Sequence, residues 1–211
     1  MTPEELPDVL THVGPEELAT ALVIAWRALF GVAPARKSIL VLLAQSALET
    51  GRWKSCHAWN LGNFKSRPGD GRSWTFYRCN EILNGKIEWF NPPHPQCRFR
   101  AFQSLQEGAV DYLGSMRRNF ASAWPAVLSG DPRAFVCSLK AANYFTADEG
   151  PYEHSATSIF QQYTGQLQFQ ITPEGPVIDD ATQARVLALV DQTSWELAGI
   201  LTTSGGDDGT A

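Results

Sequence analysis

The chain has no long apolar run. Its most hydrophobic stretch, Ile39 to Leu43, is far too short to cross a bilayer. It has no C-x-x-C pair, no G-x-S-x-G and no Gly-rich phosphate loop, so the local signatures of zinc ribbons, serine hydrolases and nucleotide-binding enzymes are missing. His12, His57, His94 and His154 are isolated, and none has the spacing of a metal ligand pair. No metal and no cofactor is therefore expected. Cysteine is scarce: Cys56, Cys79, Cys97 and Cys137 allow three pairings, among which the sequence does not choose. Cys56 and Cys79 both flank the acidic motif described below. One staple is expected there if the protein works in an oxidising space, and free thiols if it does not. The start, "MTPEELPDVLTHVGPEE", lacks the basic and apolar segments of a signal peptide, so synthesis in a cytoplasm is the expectation.

What is present is unevenly distributed. The 211 residues carry a net charge of −5. Residues 36–140 hold 15 Lys and Arg against 7 Asp and Glu, a balance of +8, whereas residues 1–35 and 141–211 come to −4 and −9. A basic block between acidic ends either attracts an anionic polymer or forms a solvated surface of mixed charge. At 44% hydrophobic residues the chain can bury one good core.

The pattern along the chain is mostly helical. Gly14-Pro15 opens a helix to about Phe30. A second helix runs from after Pro34 to Glu49 or Thr50, with Ile39, Leu42, Leu43 and Ala47 as its buried stripe and Gly51 as its stop. Residues 52–73 read as loop. "WTFYRCNEILNGKIEWF" is rich in β-branched and aromatic residues around Asn84-Gly85, a hairpin signal. "CRFRAF" follows as a short extended segment. Ser104 to Glu107 is a capping box opening a helix to about Phe120, and Asp131-Pro132 opens another to Ala142. Tyr152 to Tyr163 reads as helix, "QLQFQI" as a short strand, and 180–201 as an amphipathic helix after a linker. The division expected is one domain over residues 1–170, followed by a linker, helix and disordered tail over 171–211.

One acid stands out. In "AQSALETGRWKSCHAWNLGNFK", Glu49 closes an apolar helix at the negative end of the macrodipole, with Trp53, Trp59 and Phe64 following closely. Both the dipole and aromatic desolvation disfavour the carboxylate, so its pKa should rise toward the range in which a carboxylic acid delivers a proton near neutrality.

This stretch resembles the signature of lysozyme-like peptidoglycan hydrolases, in particular the N-acetylglucosaminidases of glycoside hydrolase family 73. It carries an Ala-rich helix, the Glu-Thr-Gly at 49–51, Asn60-Leu61-Gly62 and Lys65. "CNEILNGK" is similar to the family's hairpin with a second acid before an Asn-Gly turn, which places Glu81 in that role. "FRAFQSLQEGAVDYLGSM" and "ANYFTADEGPY" resemble two further segments, with Tyr144 at the cleft-lining tyrosine and Tyr152 at the one opening the last helix. Phe102 stands where Tyr is usual, and "NPPHPQ" is an unusual insertion.

The resemblance implies an α+β, mostly α fold: a lysozyme-like helical domain with a small β-hairpin lobe. It implies cleavage of β-1,4 glycosidic bonds in the peptidoglycan glycan strand, with Glu49 as general acid and with Glu81 and Tyr144 completing the catalytic set. Asn60, Trp53, Trp59, Phe64 and Tyr152 are the expected substrate contacts. Glu88, opposite Glu81 in an ideal hairpin, is a reserve candidate. The partners implied are the glycan strand, with no nucleic acid and no membrane span. Together with the reading of no signal peptide, the resemblance fits a phage lysin or virion component acting at the cell wall or periplasm, whose terminal helix docks on the domain or on a virion protein. The rival readings are a lytic transglycosylase or muramidase of the same fold, and a non-catalytic glycan-binding protein.

Overall fold

The computed structural model describes residues 3–69, 71–83, 85–145, 148–171, 184 and 186–190. Six α-helices and four short strands follow one another within these residues: α1 Pro15–Phe30, α2 Arg36–Glu49, β1 Trp74–Phe76, β2 Cys79–Leu83, β3 Lys86–Phe90, β4 Arg98–Arg100, α3 Leu105–Asn119, α4 Trp124–Ser129, α5 Pro132–Ala141 and α6 Glu149–Gln166. Helices dominate and strands occur only as small antiparallel pairs, which is the α+β, mostly α class expected.

Local chemistry sets the helix ends. Gly14 caps α1 with Pro15 in its first turn, and Gly31 ends it in the left-handed region. The Ser104 Oγ accepts from the Glu107 amide at 3.3 Å to start α3. The Asp131 carboxylate accepts from the amides of Arg133 and Ala134, both at 3.0 Å, to start α5.

Helix α2 departs from the expected stripe. Residues 38–47 are buried all round, so α2 is the central helix of the core, with α1, α4 and α6 packed against it. The buried Ser46 is satisfied internally: its Oγ donates to the Leu61 carbonyl at 2.8 Å and accepts from Trp53 Nε1 at 3.1 Å. At the other end of the core, Trp26 stacks on Trp124 with ring centres 5.3 Å apart.

The aromatic segment beginning at Trp74 is not one hairpin. β1 pairs with β4 in one two-stranded sheet, in register Trp74 to Arg100, while β2 and β3 form a separate hairpin with Glu81 opposite Glu88. Tyr77 and Arg78 separate β1 from β2, and the chain changes partner there. Asn84, in the expected turn, lies outside the described residues. Residues 167–171 form no strand; Leu167 caps α6, and the carbonyls of Leu167 and Phe169 instead accept from the Arg36 guanidinium. Of the expected terminal helix only 184 and 186–190 are described, and the rest of 171–211, apart from residue 171, lies outside the described residues. Val186 and Leu189 are buried in the same core as α1 to α3, so this helix docks on the domain itself through the residues described.

Candidate active site

The loop between α2 and β1 brings the acidic motif together. Arg52, Trp53, Ala58, Trp59 and Asn63 all take positive φ values, from 45° to 61°, so the loop coils tightly and folds its aromatic side chains back onto the domain. Asn60 locks the coil. It is 1% exposed; its Nδ2 donates to the carbonyls of Phe64 at 2.9 Å and Arg100 at 3.1 Å, and its Oδ1 accepts from the Phe64 amide at 2.9 Å. The loop then lies hard against α3. A Cβ at Gly108 would sit 2.2 Å from the Trp59 carbonyl oxygen, so only glycine permits this approach.

Glu49 is the last residue of α2, partly buried, on the wall of a groove of about 570 Å³. Glu81, Lys65, His57, Asn63, Tyr77 and Trp89 line the same groove, so the two carboxyl groups singled out in the sequence share one cleft. The hydroxyl of Tyr152, on α6, donates to Glu49 Oε1 at 2.8 Å. Asn63 Nδ2 donates to the Glu49 carbonyl at 2.6 Å and covers the end of α2. Burial pushes the Glu49 carboxyl above its ordinary range; hydrogen bonds from Tyr152, Gln45 and Tyr144 pull in the opposite direction without offsetting it.

Behind Glu49 runs a chain of neutral donors. Gln45 is fully buried; its Nε2 donates to the Tyr144 hydroxyl at 2.7 Å, and its Oε1 accepts from the Tyr112 hydroxyl. Tyr112 also reaches the Leu42 carbonyl at 2.9 Å. Burial, followed by the negative charge of Glu49, drives the Tyr144 and Tyr112 phenols well above their ordinary range, so both remain protonated at any working pH. Lys65 belongs to the motif and Gln45 lies four residues before Glu49, but nothing local in the sequence assigns either a task.

Across the groove, Glu81 projects from β2 and pairs with Lys65 Nζ at 3.0 Å. The same ammonium lies 3.6 Å from Cys79 Sγ and 4.1 Å from the centre of the Phe99 ring. Tyr77 stacks between His57 and Phe99, each 4.0 Å away centre to centre, and its hydroxyl donates to Asn63 Oδ1 at 3.1 Å. His57 in turn pairs with Asp8 at 2.6 Å. The hairpin lobe therefore meets the helical lobe along a packed row of rings. Trp89 is 54% exposed on this wall, with the Arg78 guanidinium 4.1 Å over its ring.

The residues expected as substrate contacts lie in different places. Trp53 is 3% exposed and stacks on Tyr163, so it belongs to the core and is shut off from any ligand. Asn60 spends its side chain on the backbone, with its Nδ2 donating to the Phe64 and Arg100 carbonyls and its Oδ1 accepting from the Phe64 amide. Trp59 is half-buried against the core and α3 and does not line the Glu49 groove. Phe64 stacks on Tyr112 and lines a neighbouring basic groove with Arg67, Arg100 and Arg118. The groups hydrogen-bonded to the Glu49 carboxyl are Tyr152, Gln45 and Tyr144. The staple expected near the acidic motif is not formed: all four cysteines are free, and Cys56 Sγ accepts from the Thr11 hydroxyl at 3.4 Å.

One buried ion cluster braces the site from behind. Asp111, on α3, takes a bond from Arg72 Nε, and Arg100 Nη1 reaches its two oxygens at 3.1 and 2.9 Å. Burial pushes the Asp111 carboxyl up, but Arg100 and Arg72 more than offset this and hold it below the usual carboxylate range. Among the described residues, one trio of potential metal donors converges, Cys137, Glu149 and Glu153 between α5 and α6. None of them lines the groove, and Arg133 pairs with Glu153 at 3.0 Å. Among the same residues no helix is long and apolar enough to cross a membrane.

No family model matches the sequence, and no curated protein matches it. Among solved structures, the chain is similar to a C-terminally truncated glycoside hydrolase domain of FlgJ from Salmonella typhimurium (21% identity, 73% of this chain and 100% of that one, TM-score 0.46). It is also similar to a mutant peptidoglycan hydrolase from Sphingomonas sp. A1 (23%, 80% and 93%, 0.47) and to the catalytic domain of the autolysin Auto from Listeria monocytogenes (16%, 74% and 88%, 0.49).

Proposed function

We propose that the protein hydrolyses β-1,4 glycosidic bonds in the glycan strand of peptidoglycan, as an N-acetylglucosaminidase. The observation that carries this reading is the Glu49 carboxyl, desolvated and held by Tyr152 on one wall of a groove whose other wall presents Glu81. Two carboxyl groups of unlike environment flanking a cleft are what glycoside hydrolysis needs. The choice of polymer comes from the ordered resemblance over residues 40–163, not from the geometry.

In this reading Glu49 is protonated when the strand enters. It gives its proton to the glycosidic oxygen as the C1–O bond breaks, and the departing sugar leaves with a hydroxyl. Positive charge develops at C1 and the ring oxygen, stabilised by the Glu81 carboxylate. Water attacks C1 and surrenders a proton to Glu81, so the bond is replaced by two hydroxyl ends and both acids then exchange protons with solvent. Tyr144 and Tyr152 are neutral donors. They hold Glu49 in place and stabilise the carboxylate left after proton transfer. Trp89 offers a half-exposed ring at the groove rim on which a sugar face can stack.

A cell-wall zymogram with the wild type and Glu49→Gln tests this. Clearing by the wild type with a loss of about a hundredfold or more in the variant supports the reading, because removing a positioned general acid typically costs 10² to 10⁴. Equal clearing by both removes Glu49 from the mechanism, and no clearing by either favours a binding protein. Mass analysis of the products separates the bond chemistries. A reducing N-acetylglucosamine end is expected, whereas a 1,6-anhydro end marks a lytic transglycosylase and a reducing N-acetylmuramic acid end a muramidase.

A further inference from the structure

Cys79 is the first residue of β2, and Cys97 immediately precedes β4. Their sulfurs are 4.0 Å apart. The segments that carry them are already joined by backbone, since the Tyr77 amide donates to the Cys97 carbonyl at 3.1 Å. Cys79 Sγ also donates to the Gln96 carbonyl at 3.1 Å. A disulfide needs sulfurs about 2.05 Å apart, and rotation about cysteine χ1 is the motion that brings neighbouring sulfurs together. Cys97 is 0% exposed, while Cys79 is partly exposed and lines the groove, so a reagent can reach one sulfur and the second is in place to resolve it. The remaining thiols lie elsewhere: Cys56 is held by Thr11, and Cys137 stands beside Glu149 and Glu153.

We propose that Cys79 and Cys97 are a disulfide site, formed by exchange with a small-molecule disulfide, which clips the hairpin lobe shut at its neck. The chemistry balances. The Cys79 thiolate attacks one sulfur of the oxidant and expels its first thiol, leaving a mixed disulfide. The Cys97 sulfur, having given up its proton to solvent, then attacks Cys79 Sγ and expels the second thiol. The protein loses two hydrogens and two electrons, and the oxidant becomes two thiols.

The position gives the bond its consequence. The loop closed between residues 79 and 97 contains the whole β2–β3 hairpin, which pairs with no other strand among the described residues. Glu81 lies two residues beyond the clip on the same strand, and Lys65 touches both Cys79 and Glu81. The cross-link therefore fixes the root of the strand that presents the second carboxylate, and it restricts the unfolded chain by a loop of intermediate length. Burial raises the Cys79 thiol above its ordinary range despite the nearby Lys65, so the exchange is best run in mildly alkaline buffer.

The test uses the full chain, treated with oxidised glutathione at about pH 8.5, alkylated under denaturing conditions and digested. A peptide joining Cys79 to Cys97 is expected, with Cys56 and Cys137 alkylated. The thermal midpoint should rise by roughly 5–10 °C and fall back on adding reductant. Cys79→Ser should abolish the rise, and so should Cys97→Ser if it folds. The wild-type map decides the pairing in either case. Alkylation of both residues after oxidation, a glutathione adduct persisting on Cys79, or a bridge to Cys56 or Cys137 overturns the proposal. A correct bridge with no rise in midpoint overturns the clip. None of these readouts depends on enzymatic activity.

Discussion

The Tyr152 hydroxyl donates a 2.8 Å hydrogen bond to Oε1 of Glu49 across 103 residues of chain. It favours the charged carboxylate and so opposes the burial that raises the Glu49 pKa. Together with Gln45 and Tyr144, Tyr152 thereby limits how far the proton affinity of Glu49 rises, and it does so from a helix distant in sequence.

Removing that hydroxyl moves the titration in a known direction. In Tyr152→Phe, Glu49 loses a bond to its charged form and its pKa rises further. The general acid proposed above works only while protonated, so on that proposal the alkaline limb of kcat should shift to higher pH, by about half to one unit if the bond is worth its usual net energy. Steady-state pH profiles of wild type and variant check this. A limb that stays in place or moves to lower pH would remove Tyr152 from control of Glu49.

Folding stability should follow the same proton. The folded Glu49 carboxyl holds its proton more tightly than the unfolded one, whose pKa is near 4.5. Its contribution is therefore fully present below that value and is lost as pH rises through the folded pKa. Glu49→Gln mimics the protonated form. Denaturant unfolding should find the variant more stable than wild type at neutral pH, with the advantage disappearing in acid. The reverse ordering at neutral pH would mean that the carboxylate is solvated in the folded protein.

Asp111 obeys the opposite sign. Arg100 and Arg72 hold its pKa below the unfolded value of 3.8, so its contribution is present above that value and is lost as pH falls through the folded pKa. Asp111→Asn removes the buried charge that faces both guanidiniums and should cost about 3–5 kcal/mol at neutral pH. The substitution should also flatten the acid limb of the stability curve. Urea titrations between pH 2 and 7 measure both, and a loss below about 1 kcal/mol would mean that solvent reaches the cluster.

Much of this architecture was legible in short windows. Pro15 with Gly14, the Ser104–Glu107 box and Asp131-Pro132 opened helices where they stand, because each satisfies or excuses backbone groups within one turn. The raised proton affinity of Glu49 was readable too, with desolvation as its main cause, whereas its hydrogen-bond partners were not. The aromatic segment from Trp74 carried strand propensity throughout, yet propensity does not say which strand pairs with which. β1 chose β4 over the hairpin that follows it.

What the residue order determined by itself was the set of local decisions: where helices begin, where a hairpin turns, and that an apolar helix ends on an acid. What tertiary structure decided was company. The left-handed turns at Arg52, Trp53, Ala58 and Trp59 coil the loop, and Trp53, close to Glu49 in sequence, is carried into the core, while packing of α6 on α2 brings distant Tyr152 onto the carboxylate. Burial and hydrogen bonding depend on distance in space, and a window of sequence holds no measure of that distance once the chain folds back on itself.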